Sequence, residues 1–299
     1  KTPIYGNKDF SEMRGFIERE RTKRATWYYP ETSYWIGMDM DIPLLLTDYL
    51  RTRSEDYKWL HDHKVEGHLN FTTGHAIGGW LMDWNVALMA DADFKFDPLA
   101  ALKLLGEPVD VWRAHLDFQQ TWFKDNGLIA PLAAANLQDE LSETERIHDR
   151  NTMKQLSNNP AELKRETDLL AEGLKFWPTW EGVKNFELRE MLHNTWRRHQ
   201  HALSLRRALG NPDKQDDYLI HAQALREQMQ SSLKTLSKLS TSYPDLPLFE
   251  KHLNPTSYQF GYVYPAASGY FWEREEVQIR HKQFFPFNGN MYDVWNIIF

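Results

Sequence analysis

Residues 64–71 (KVEGHLNF) alternate polar and apolar side chains. Read with period two, Glu66, His68 and Asn70 stand on one face of an extended segment, and Val65, Leu69 and Phe71 on the other. A carboxylate, an imidazole and an amide in a row suit the lining of a site better than a face shown to water. Upstream, residues 28–41 (YYPETSYWIGMDMD) gather Glu31, Asp39 and Asp41 among Tyr28, Tyr29, Tyr34 and Trp35. Downstream, residues 72–79 set Thr72, Thr73 and His75 between glycines, ahead of a segment bearing Trp80, Asp83 and Trp84.

Carboxylates beside flat aromatic rings fit glycoside chemistry. Hydrolysis of a glycosidic bond asks for two carboxyl groups across the bond, one as acid and one as base or nucleophile. Aromatic faces, apolar yet polar at their rims, pack against the C–H faces of pyranose rings. The expected catalytic residues are Glu31 and Glu66, with Asp39 as substitute, while Asp41 reads as a helix cap. The expected substrate contacts are Tyr28, Tyr29, Trp35, His68, Asn70, His75, Trp80, Asp83 and Trp84. This chemistry requires no cofactor and no metal, and its substrate is a glycan or another polyhydroxylated molecule.

These residues need elements to position them. The pattern over 10–24 predicts a charged amphipathic helix, "ATWYY" (25–29) a buried strand ended by Pro30, and 42–60 a second helix. The strand 65–71 and a helix carrying Trp80, Leu81, Trp84 and Leu88 follow. Strand, helix, strand, helix predicts two βα units of an α/β fold, a parallel sheet or partial (β/α) barrel within residues 1–95. Two such units leave sheet edges uncovered, so an upstream segment or a partner chain is expected to complete them. The chain begins at Lys1, which agrees with a processed or excised product.

Residues 96–240 read as a helical bundle domain. Asp97-Pro98 and Asn159-Pro160 are helix starts, Ser142 and Glu145 form a capping box, and Gly106 and Gly127 close helices. Gly210-Asn211-Pro212 separates the last two long helices, and Leu219, Ala222, Leu225, Met229, Leu233 and Leu236 recur at helical spacing. Residues 241–299 form an aromatic-rich tail, in which alternation over 258–264 and over "VQIRHKQFF" predicts two strands.

Composition excludes several classes. With 42 acidic and 35 basic residues the formal charge is −7, and the basic residues form no long tract, which excludes a nucleic-acid partner. No apolar run reaches the ~20 residues of a membrane span. The absence of cysteine excludes disulfides and thiolate chemistry without fixing the compartment, although export to a periplasm or medium suits a glycan substrate. No phosphate loop, dinucleotide fingerprint, zincin motif or serine-hydrolase elbow occurs. The "NFT" sequon at 70–72 lies on the expected buried strand and is discounted.

Two further readings compete. His61, His63, His68 and His75 crowd one stretch near Asp62 and Asp83, which suits a His/Asp metal-dependent enzyme, and Glu145/His148 and Glu190/His193 have the Glu-x-x-His spacing of di-iron bundles. Alternatively the chain is a non-catalytic scaffold or a subunit that binds a glycan or partner. An enzyme would show an open pocket with two carboxylates, whereas a scaffold would pair its carboxylates with arginines or helix N-termini.

Overall fold

The computed structural model describes residues 11–29, 47–70, 78, 80–91, 93–132, 152–239 and 264–282. Its helices are α1 (Ser11–Arg21), α2 (Thr47–Asp62), α3 (Trp80–Met89), α4 (Ala100–Leu104), α5 (Val109–Phe118), α6 (Ile129–Leu132), α7 (Thr152–Ser157), α8 (Pro160–Lys175), α9 (Phe186–Gly210), α10 (Gln215–Leu239) and α11 (Tyr264–His281).

Helix starts follow local chemistry. Asn159 Oδ1 accepts the N–H of Glu162 ahead of α8, and Asn185 Oδ1 accepts that of Leu188 at the start of α9. Asp97 Oδ1 takes the N–H of Leu99 in the turn leading to α4. Gly106 and Gly127 take the left-handed backbone with φ of 70° and 72°, as the ends of α4 and of the α5 run require. Helix α5 runs directly into a π-helical stretch, Gln119–Asp125.

Helix α9 organises the bundle. At 25 residues it is about 37 Å long, and its side chains enter three apolar clusters. Ala202 and Leu203 join the cluster holding Leu50, Leu60 and Val86; Leu188, Met191 and Leu192 join that of Trp112, Met229 and Trp272; Leu205 and Ala208 join that of Met153, Leu219 and Ile279. The expected row on the last long helix, from Leu219 to Leu236, is buried throughout.

The α/β expectation is overturned: among the described residues the protein is all-helical, with no sheet and no barrel. The segments expected as strands 25–29 and 65–71 meet at one isolated parallel bridge, Tyr28↔His68. Its hydrogen bonds are Tyr28 N–H to Gly67 O, 3.0 Å, and Leu69 N–H to Tyr28 O, 2.8 Å. Period-two patterning over seven residues describes an extended segment, but a sheet needs a ladder of neighbours, and none is present among the described residues. The expected strand over 277–285 is also corrected as far as it is described, because residues 277–281 lie in α11. The buried residues Trp272, Glu275, Glu276 and Ile279 have helical spacing, and two of them are charged, so a count of apolar positions alone misses the period. Residues 258–263, with the other proposed tail strand, and the Ser142/Glu145 box lie outside the described residues.

Candidate functional site

The parallel bridge gives residues 27–29 and 67–69 two faces. Tyr28 and His68 stand on the inner one. The Tyr28 side chain is 3% exposed, and its hydroxyl donates to Asp56 Oδ2 at 2.8 Å while accepting from the Arg53 guanidinium. Asp56, itself buried, also receives Arg14, whose Nε lies 2.7 Å from Oδ1, and forms an ion pair with Arg53 at 2.8 Å. Burial depresses Arg53 to about 10 against the opposing pull of Asp56, which leaves it charged at neutral pH. Tyr57, pushed up to about 12 by burial, donates to Asn70 Oδ1 at 3.1 Å and meets the His68 ring edge-on at 5.0 Å. His68 is half-buried, and desolvation, with His61 nearby, holds its imidazole below the usual range.

Arg53, Asp56 and Tyr57 lie at i, i+3 and i+4 of α2, so one turn of helix supplies the polar groups that clamp the bridge. The sequence reading missed all three. A charged pair within an otherwise apolar helix face was the available signal.

The outer face is aromatic and open. Trp27 is 61% exposed, Tyr29 58% and Leu69 57%. The Trp27 indole lies over Gly67, where an added Cβ would sit 3.5 Å from the ring, so the platform is braced from beneath by a residue without a side chain. The parity expected for 65–71 is thus partly reversed. Val65 packs on the core as expected, but Leu69 faces out while His68 and Asn70 turn inward to Tyr57.

Among the other candidates, Glu66 is exposed at the start of its segment. Trp80 and Trp84 meet edge-on at 6.1 Å on α3; Trp80 packs on the core, Trp84 is 44% exposed, and Asp83 is half-buried. Glu31, Trp35, Asp39 and His75 lie outside the described residues. The structure therefore brings together Tyr28, His68 and Asn70 on the inner face and sets Tyr29 beside Trp27 on the outer one.

The buried carboxylates are engaged. Glu107 accepts the backbone N–H groups of Lys184 and Asn185 ahead of α9, and Glu166 pairs with Arg206 at 2.7 Å. Glu275 and Glu276 belong to a network sealed between α9, α10 and α11. Arg198 Nη1 donates to Glu275 at 2.7 Å, and Arg226 grips Glu276 with two nitrogens at 2.9 and 3.1 Å. His201, fully buried, links them: Arg198 donates to Nδ1, which makes Nε2 the protonated nitrogen facing Glu276 at 3.0 Å. Burial pushes Glu276 up, but His201 and Arg226 outweigh it and hold the carboxyl below its usual range. Two guanidinium groups, two carboxylates and a neutral imidazole leave the network without net charge.

No three His, Asp or Glu side chains converge as metal ligands among the described residues. His61 and His63 are exposed at the end of α2. The Glu190/His193 pair of the di-iron reading meets Ser232 and Trp180 instead of further carboxylates, and Glu145/His148 lies outside the described residues. No helix of the described residues is long and apolar enough to cross a membrane. No protein-family model matches this chain, and no curated protein or solved structure matches it either.

Proposed function

We propose that the protein binds a glycan on the outer face of the Tyr28↔His68 bridge, with Trp27 and Tyr29 as stacking surfaces. One observation carries this reading: two large aromatic residues on one face of a rigidly clamped pair of segments are each more than half exposed, and Trp27 lies flat on Gly67. Exposing this much ring surface is costly without a ligand, and a pyranose supplies an apolar C–H face with hydroxyls at its rim. The pairing of Asp56, Glu107, Glu166, Glu275 and Glu276 with arginines or backbone N–H groups supports recognition, rather than catalysis, as the work of the described residues.

The test is retention on immobilised polysaccharides of the gluco, galacto, manno and xylo series. The protein is expected to bind at least one, and Trp27→Ala and Tyr29→Ala to lose about tenfold or more in affinity with unchanged melting temperature. No retention on any of them overturns the reading.

Hydrolysis is the second reading, and the parallel direction of the bridge favours it. The two segments leave the bridge on the same side, and Glu31 follows Tyr29 by two residues in sequence. The acid role then falls to Glu31 with Asp39 as its candidate partner, because Glu66 precedes His68 and stands at the entry end of the bridge, away from that side. Reducing-sugar release abolished by Glu31→Gln, with binding retained, would support it; binding without any release leaves glycan recognition alone.

A further inference from the structure

Helix α9 carries a second polar and aromatic group that plays no part in the sealed network. The Trp180 and His193 rings stack at 4.5 Å with an interplanar angle of 23°, and Trp196 closes on both, at 5.6 Å from Trp180 and 5.9 Å from His193. All three rings are half-buried, so each keeps part of its surface in water. One helical turn away, Glu190 accepts from Ser232 at 2.6 Å and stands 3.6 Å from Arg197 Nη1, longer than a hydrogen bond. Arg197 is 8% exposed; its Nη1 already donates to Asn194 Oδ1 at 2.5 Å, and its buried Nε–H has no hydrogen-bond partner. A buried guanidinium with an unmet N–H is expensive, and the cost falls if an incoming acceptor meets it.

We infer that Glu190, Arg197 and the Trp180–His193–Trp196 group form a further saccharide subsite, in which one pyranose ring lies on the aromatic group and two neighbouring hydroxyls are held by the carboxylate and the guanidinium. This rests on the glycan reading above. The choice of ligand follows from the groups. A carboxylate that accepts and a guanidinium that donates match adjacent hydroxyls, each of which can do both. The near cancellation of their charges disfavours an anionic ligand, which Glu190 would repel. The Glu190/His193 spacing noted in the sequence therefore places a hydroxyl acceptor and a stacking ring on one helix face, three residues apart.

The experiment is a titration with soluble hexasaccharides of the gluco, galacto, manno and xylo series, followed through the tryptophan indole N–H resonances. Trp180→Phe and Trp27→Phe assign the two reporter signals. On titration with the series that binds, the Trp180 signal is expected to shift, and Arg197→Lys and Glu190→Gln to weaken affinity about tenfold to a hundredfold. Should a variant fail to fold, the indole shift in the unsubstituted protein decides alone. A Trp27 shift without a Trp180 shift overturns the subsite and leaves the first reading standing. Absence of any shift with every series overturns both.

Discussion

Asp56 at the bridge and Glu276 in the bundle are both buried carboxylates serving several donors, Asp56 taking Arg14, Arg53 and Tyr28, and Glu276 taking Arg226 and His201. What surrounds them differs. The bundle network joins residues 50 to 77 apart in sequence and keeps each of its side chains about nine-tenths buried or more. The bridge cluster is buried on one side only; its other side carries Trp27, Tyr29 and Leu69 into water. The same ion-pair chemistry thus closes one region completely and, in the other, holds two short segments firmly enough to offer an aromatic surface. Rigid support of an exposed ring is what makes it useful for binding, because little ordering is left to be done when the ligand arrives.

The largest loss is expected in the bundle. Glu275→Ala leaves Arg198 buried beside His201 without its counter-charge, and should cost about 3–5 kcal/mol in urea unfolding. A loss below about 1 kcal/mol would mean that water reaches Arg198 and that the network is not sealed.

Acid acts on the protein through its buried histidines. Burial holds His199 at about 4, against the opposing effect of its hydrogen bond to the Leu170 carbonyl. Its folded value lies below its unfolded one, so the unfolded state binds the proton first as pH falls. The neutral ring's stabilisation is complete above about pH 6.5 and is lost progressively down to about pH 4, on the order of 3 kcal/mol. His115, at about 4 for the same reason, acts in the same window. The half-buried His68 is lowered as well, but as it keeps solvent contact its share is expected to be smaller. Histidine proton resonances followed from pH 8 to 4 check both statements; His199 titrating near 6.5 would overturn them.

At the bridge the effects shrink. Tyr28→Phe removes a hydroxyl from Asp56 and Arg53 while keeping their ion pair, at a cost of about 1–2 kcal/mol. Glu66→Gln, at an exposed position, should change stability by less than about 0.5 kcal/mol. A larger loss would place Glu66 within the clamp.

Legibility in the sequence followed the range of the interactions. The start at Asn159-Pro160, the ends at Gly106 and Gly127, and the buried row from Leu219 to Leu236 were readable because capping and helical periodicity act within a few residues, whereas the helix expected from Asp97-Pro98 begins at Ala100, with Asp97 in the turn before it. His68 and Asn70 were expected to contact substrate; in the structure they turn to Tyr57, and Tyr28 bonds to Asp56. That Leu69 faces water while His68 faces Tyr57 was not readable, because α2, which supplies Tyr57, decides it.

The helices within residues 96–240, the start at Asn159 and the ends at Gly106 and Gly127 are dictated by the sequence alone, through local backbone preferences and apolar spacing. Tertiary structure alone decided that two strand-like segments meet at a single bridge, and that Arg198 and Arg226 find Glu275 and Glu276 across α9, α10 and α11. The reason is physical. A charge is bearable in a core only where another element brings its opposite, and a strand becomes a sheet only where another element brings its neighbour.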